Sequence, residues 1–382
     1  MIDVVVGGQF GSEGKGAVVG QIAKNYDTHV RVGASNAGHT VYVNGHKHVV
    51  QAIPCAAYAN PEATCVIGAG ALISTDILVQ EIKINNEWRK RNGYRPLQLW
   101  IDERAHVITD CQIAKEQESD LASRIGSTST IAKEGIGAAA ADRVMRSIDC
   151  VQAGEMKDAL ETEGVTRVGD TIGLFAAISD PGGGLESNIL LEGTQGTGLS
   201  LTTGDFPYVT SRNPTAAGIA ADCGIGPKAI SNVFLVLRTY PIRVAGNSGP
   251  FGPGSQEISF EDLGVPEERT TVTKLVRRIA TFSGIQAQEA AFINSANKIA
   301  LTFGDYIAKN LAGRSDITHN DYKINPSGVG ILTSMVHYLE EVTGAEVTHV
   351  GTGPQSMISM ADYRNVFADA LYQHKERYRE SV

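Results

Sequence analysis

The segment GQFGSEGKG at 8–16 places one ammonium group, Lys15, at the end of a glycine-rich turn. The turn lies between an apolar run, Ile2 to Val6, that reads as a buried strand and a stretch, Ala17 to Lys24, that suits a helix start. Strand, glycine turn and helix in that order make a phosphate cradle. The amides of Gly11, Ser12, Glu13, Gly14 and Lys15 are left to face an anion, the helix terminus adds partial positive charge, and the lysine moves to meet it. Gly16 stands where a P-loop carries its magnesium-binding Ser or Thr, and five residues rather than four separate Gly8 from Gly14. The cradle is therefore divergent, and a magnesium ion must find its ligands elsewhere. A second reactive group, His39, lies in SNAGHT at 35–40, a loop of small polar residues. If the two turns are adjacent, its imidazole meets the bound phosphate, where it can donate to a developing oxyanion or, as imidazolium, protonate a leaving oxygen.

Four further stretches carry polar chemistry. In IGSTSTIAKEGIGAAAADRVMR at 125–146, a hydroxyl-rich turn that includes Ser129 and Thr130 precedes a helix with Arg143 and Arg146; phosphate binding and simple helix capping explain any one hydroxyl equally well. LEGTQGTGLSLTTGDFPYVTSRNPTAAG at 191–218 is too polar for a core element and too sparing in charge for a solvated tail, so Gln195, Thr194, Thr197 and Thr210 are candidates to read a base edge or a phosphate. ERTTVTKLVRRIATFS at 268–283 gathers Thr270, Thr271, Thr273, Lys274, Arg277 and Arg278, which suits a carboxylate or phosphate guest. VGTGP at 350–354 follows a short strand-like run and is a candidate nucleotide-edge turn. His46 and His48 flank the hairpin signal Asn44-Gly45 but lack a third metal ligand, and read as an exposed strand face.

The elements that must position these groups belong to one large unit. No Pro/Gly/Ser-rich linker divides the 382 residues, so a single catalytic domain spanning 1–382 is expected, and 42% apolar residues are enough for a full core. No apolar run reaches the length of about 18 residues needed to cross a bilayer, so no membrane partner is expected. The formal charge of −9 argues against nucleic acid as a partner. The acidic, glycine-containing start MIDVVVGGQF lacks the pattern of a secretory signal, and a cytoplasmic location is expected. Cys55, Cys65, Cys111, Cys150 and Cys223 have no paired spacing and read as packing residues.

In order along the chain, GSEGKG at 11–16, NAGHT at 36–40, EGTQGT, FPYVTSRN and VGTGP resemble the motifs of the adenylosuccinate synthetase family. The resemblance implies an α/β fold with a large, mostly parallel central sheet flanked by helices, a homodimer, and ligation of L-aspartate to a purine nucleotide through a 6-phosphoryl intermediate. On these motifs Lys15 matches the lysine that stabilises the transferred phosphoryl group, and His39 the histidine that assists its transfer to O6. Gly11 to Gly16, Gly38, Thr40, Asp305, Gly351 and Gly353 match nucleotide-binding positions, and the carbonyl of Gly38 matches a magnesium ligand. Asn36, Ser129, Thr130, Gln195 and Thr210 match the pocket for the monophosphate, and Arg146 the arginine that reaches across the dimer to its 5′-phosphate. Thr271, Val272, Thr273, Arg277 and Arg278 match the loop for aspartate carboxylates, with Lys274-Leu275 where the family has a glycine-arginine pair.

Two departures from the family carry the substrate reading. Ser12 stands where the family has the aspartate that takes the purine N1 proton and binds magnesium, and an unactivated hydroxyl cannot act as that base. Loss of the carboxymethyl bulk beside N1 and C2 makes room for a 2-amino group, which resembles the bacteriophage branch of the family; a chain of that origin would work in the host cytoplasm. Phe303 stands where the family has a lysine beside the guanine-reading Asp305, which implies ATP or dATP as phosphate donor, with Mg2+. The expected reaction joins L-aspartate to C6 of dGMP, giving N6-succino-2-amino-2′-deoxyadenylate, ADP and phosphate. Conventional synthesis from IMP and GTP is the alternative, and a nonenzymatic nucleotide sensor a third class.

Overall fold

The first strand, Ile2–Gly7, is buried along its whole length, and its valines alternate between two cores. Val4 and Val6 pack with Val30, Leu191, Leu235 and Ile299 on one face of a sheet, while Val5 packs with Leu190, Val236 and Ala300 on the other. A strand apolar on both sides must be covered on both sides, which accounts for the near-continuous apolar runs in this chain. In the computed structural model, which describes residues 1–125, 134–161, 166–178, 187–270 and 274–380, that strand is central in a ten-stranded sheet.

From one edge to the other the strands run Thr166–Gly169, Leu99–Asp102, Thr64–Ile67, Thr28–Arg31, Ile189–Glu192, Ile2–Gly7, Ile230–Arg238, Lys298–Thr302, Glu346–Gly353 and Ser356–Ser359. Every neighbouring pair is parallel except the last, so the expected mostly parallel sheet is present. Chain order reverses around the first strand, flanked by Ile189–Glu192 on one side and Ile230–Arg238 on the other. Parallel strands deliver every following loop to one rim, and a ligand crevice opens at that reversal point, at their carboxyl ends. The glycine turn, Glu192 and Arg238 all lie there.

Two local features bring the first two motifs together. The helix Lys15–Ile22 buries Val18, Val19 and Ile22 in the second core, worth about 1.5–3 kcal/mol for each side chain. Strands His39–Val43 and His46–Val50 form the hairpin expected from Asn44-Gly45, whose φ angles of 50° and 79° fit a tight two-residue turn. Helix and hairpin touch at Gly16, where a Cβ would lie 2.4 Å from the carbonyl oxygen of Thr40. Among the described residues no helix is long and apolar enough to cross a membrane.

Because that contact leaves no room for a methyl group, Gly16→Ala should lower unfolding free energy in urea by about 1–3 kcal/mol and move the histidine loop away from the cradle. Gly226→Ala is the comparison: nothing lies within 4 Å of its Cβ, and its stability should stay within about 0.5 kcal/mol of wild type.

Candidate active site

The glycine turn holds an anion of its own. The buried Glu13 carboxylate folds back into the loop, where Oε1 accepts from the amides of Gln9 at 3.2 Å and Gly11 at 2.8 Å. Lys15 Nζ completes the set at 2.6 Å from Oε2. These are the donors a phosphate would recruit. Gly11 and Gly14 have φ angles of 86° and 89°, and Ser12 joins them in the left-handed region at 58° with an exposed side chain. Gln9 braces the loop: its side chain pairs with the backbone of Arg238 in both directions, at 3.0 and 3.1 Å.

His39 lies next to this turn, as the sequence suggested. Its Nδ1 is 2.6 Å from Glu192 Oε1, and Arg31 Nη1 binds the same oxygen at 2.5 Å. The other carboxylate oxygen of Glu192 accepts from the Cys55 amide at 2.8 Å, and Arg31 also donates to the carbonyl of Ala37. Nδ1 also lies 3.0 Å from Arg31 Nη1, but the carboxylate is closer and takes the proton of Nδ1 as its hydrogen bond, which leaves Nε2 with its lone pair; Nε2 has no partner among the described residues. Burial and then Arg31 push the ring down to about 4, against the pull of Glu192, so the free imidazole is neutral. Burial works against the charge on Glu192, yet Arg31 and His39 hold its carboxyl well below the usual carboxylate range.

The monophosphate candidates fall on the same side of the first strand. Gln195, at φ 64°, donates from Nε2 to Thr210 Oγ1 at 2.7 Å, and its Oε1 is buried without a partner. Asn36 Oδ1 is likewise buried and unpartnered. Gly38 is exposed, with only Gln51 Cγ near its Cβ position at 3.9 Å, and Thr40 is held by Gly16. Arg146 stands apart and exposed at the end of the helix Ile136–Met145, among exposed Val144, Met145 and Ile148. Ser129, Thr130, Thr271, Val272 and Thr273 lie outside the described residues.

On the other side of the first strand, Thr302 Oγ1 donates to the Glu13 carbonyl at 2.6 Å, so the strand that leads to Asp305 touches the cradle. Asp305 sits in a 3-10 turn, Gly304–Tyr306, packed against Val350 and Gly351. The strand Glu346–Gly353 continues through the residues read as a turn in VGTGP, and it packs closely there, since a Cβ on Gly351 would lie only 3.2 Å from Thr302 Cα. Arg238 is fully buried, stacks 3.8 Å over the Phe303 ring, binds Glu268 at 2.5 Å and donates to the Ser12 carbonyl at 3.2 Å. One face of Phe303 is thus already covered. Arg277 is half-buried, and burial lowers its pKa against the pull of Glu268. Arg278 is bound to Glu257 through two contacts of 2.8 and 2.7 Å and to the Gly249 carbonyl at 2.8 Å.

Sequence reading assigned no role to Glu192, Arg31, Arg238 or Glu268. The signal for the first three was a charge closing an apolar run, as in ILLE, THVR and FLVLR; buried charges at strand ends must be paired. His48, read as exposed, stacks on Tyr58 at 4.0 Å. His39, Cys55 and Glu192 each offer one ligand atom within 4.8 Å of the others, a grouping that can hold a metal ion, although this nitrogen–sulfur–carboxylate set suits softer cations than magnesium.

The chain is similar over most of its length to known proteins. The family described as Adenylosuccinate synthetase matches residues 4–171 and 177–312. Adenylosuccinate synthetase of Methanocaldococcus jannaschii is 34% identical over 366 residues, covering 95% of this chain and 96% of the relative. That of Methanococcus maripaludis is 35% identical over 369 residues, covering 95% and 98%. Among solved structures, cyanophage S-2L succinoaminodeoxyadenylate synthetase, bound to dGMP and dATP as an energy donor, superposes with a TM-score of 0.78 at 30% identity, over 97% of this chain and 99% of that one. Adenylosuccinate synthetase of Plasmodium falciparum shares the fold, with a TM-score of 0.70 at 22% identity over 94% and 99% of the two chains. With its mostly parallel sheet, its divergent cradle and these relatives, the chain belongs to the adenylosuccinate synthetase family.

Proposed function

We propose that this protein ligates L-aspartate to C6 of dGMP at the expense of ATP or dATP, and that residues 1–382 act as one catalytic domain. The observation that carries the reading is Ser12: a small, exposed, uncharged side chain at the mouth of the cradle, where a purine 2-amino group finds room. Likeness to an enzyme bound to dGMP and dATP supports it. O6 of the purine attacks the γ-phosphorus and the bond to ADP breaks; the amine of aspartate then displaces phosphate at C6. Lys15 leaves Glu13 to meet the transferred phosphoryl group, as the loop amides exchange a carboxylate for a phosphate. His39 faces O6 through Nε2, its other nitrogen pinned by Glu192. Because the Ser12 hydroxyl is no base, the lone pair on Nε2 is the candidate acceptor for the N1 proton.

Gln195, Thr210 and Asn36 present unspent polar groups for the monophosphate. Arg277, beside Glu268, meets the aspartate carboxylates together with residues 271–273, and Arg278 joins them by releasing Glu257. Magnesium fits the neutral oxygens at the mouth, the exposed Gly38 carbonyl and Ser12 hydroxyl, since this ion takes few protein ligands and fills its sphere with phosphate oxygens and water. When bound it neutralises phosphoryl charge. The exposed apolar end of helix Ile136–Met145 around Arg146 supports a homodimer in which that arginine serves the neighbouring site.

Parallel assays of aspartate-dependent phosphate release with dGMP, GMP, IMP and dIMP should rank dGMP first; a higher kcat/KM for IMP would defeat the reading in favour of conventional adenylosuccinate synthesis. Ser12→Asp should lower dGMP turnover at least about tenfold, or roughly 1.4 kcal/mol of transition-state stabilisation, while IMP use falls less or rises. Mixing Arg146→Ala with Lys15→Ala protein should restore part of the activity through heterodimers with one intact site; no recovery after confirmed subunit exchange would exclude a shared site. Glu192→Gln should destabilise the fold by about 3–5 kcal/mol in urea, because Arg31 is left as a buried, uncompensated charge. Its residual folded fraction should show reduced kcat with little change in KM for dGMP.

A further inference from the structure

The carboxyl group of Asp305 has capacity that none of the described residues uses. Its Oδ1 is buried and unpartnered among the described residues. The cation that bears on it, Arg238 on strand Ile230–Arg238, is already engaged with Glu268 and the Phe303 ring. The other charged or titratable groups bearing on it are Glu268, from the segment that precedes the aspartate loop, and Tyr306 of its own turn, whose hydroxyl donates to Glu268 at 3.0 Å. Strand Glu346–Gly353 and helix Pro326–Thr343 bring Val350, Gly351 and Leu332 against Gly304. Burial and Glu268 favour the neutral acid, while the Asp305 amide and Arg238 oppose it.

The site lies beyond Thr302, which touches the cradle, and across the first strand from His39 and Gln195. A triphosphate seated in the cradle can therefore turn its base toward Asp305 while the acceptor purine takes the other side. A carboxylate only accepts hydrogen bonds, so it pairs with guanine N1–H and the 2-amino group. A neutral carboxyl both donates and accepts, so it pairs with adenine by giving its O–H to N1 and receiving N6–H. We propose that Asp305 selects the base of the phosphate donor through its own protonation state, reading adenine as the acid and guanine as the carboxylate. This deepens the donor assignment above and rests on it.

One proton separates the two readers, so their populations stand in the ratio of proton concentration to the acid constant. The ratio of kcat/KM for ATP to kcat/KM for GTP should then fall as pH rises, by about tenfold per pH unit where the carboxylate carries guanine recognition, and titrations common to both donors cancel. The wild-type ratio is measured with dGMP and aspartate between about pH 6 and about pH 8. ADP and GDP affinities by calorimetry over the same range report the same slope without turnover. Asp305→Asn fixes the donor–acceptor pattern of the neutral acid, so its ratio should be flat with pH. A flat wild-type ratio, a slope that survives in Asp305→Asn, or GTP and GDP that fail to bind at any pH each overturns the proposal. Absence of turnover with every acceptor purine would instead defeat the ligase reading, while the calorimetric slope still decides the role of Asp305.

Discussion

A carboxylate with no access to water has to find its counter-charge inside the protein, and Glu192 imposes that requirement on the whole rim of the sheet. It closes a strand that is otherwise apolar and is met by Arg31, the last residue of the neighbouring strand, which pairs with it in parallel register. Their ion pair then reaches outward to two further segments: the histidine loop, through Nδ1 of His39 and the Ala37 carbonyl, and the Cys55 amide. The orientation of the imidazole is thus a by-product of neutralising a buried charge, and parts of the chain distant in sequence are tied to one oxygen pair.

The cradle repeats the theme on a smaller scale. Oriented amides at the head of a helix and a buried ammonium create a field that favours an anion, and Glu13 supplies one from within the loop. A ligand-free loop with this wiring keeps its curvature, because the amides are never without an acceptor. On the far side Arg238 joins the same loop to Glu268 and Phe303, so the segments around the crevice are linked by charges at the ends of strands.

The parts of this molecule legible in the sequence are those set by local chemistry. Ile2 to Val6 reads as a buried strand because nothing in it tolerates water, the Asn44-Gly45 pair announces its hairpin, and the lysine at the end of a glycine turn announces an anion site. Adjacency of His39 to that turn was a conditional reading, and it depends on Gly16 meeting Thr40, a contact between segments that spacing alone cannot specify. The roles of Arg31, Glu192, Arg238 and Glu268 were not legible, since each arises from pairing across strands whose order is a property of the sheet. VGTGP shows the opposite failure: glycines that suggest a turn serve a strand pressed against its neighbour.

Ser12 has a structural peculiarity whose consequence is evolutionary. Its backbone is held in the left-handed region, with its carbonyl bound by Arg238, while its side chain is exposed and makes no hydrogen bond among the described residues. Small polar residues tolerate that backbone conformation, and aspartate and asparagine are among those that adopt it most readily. Replacement there leaves the scaffold's internal pairing intact. A lineage could therefore exchange the residue at this position in a single step without first acquiring stabilising changes elsewhere, and the same shell of buried charges would remain in place.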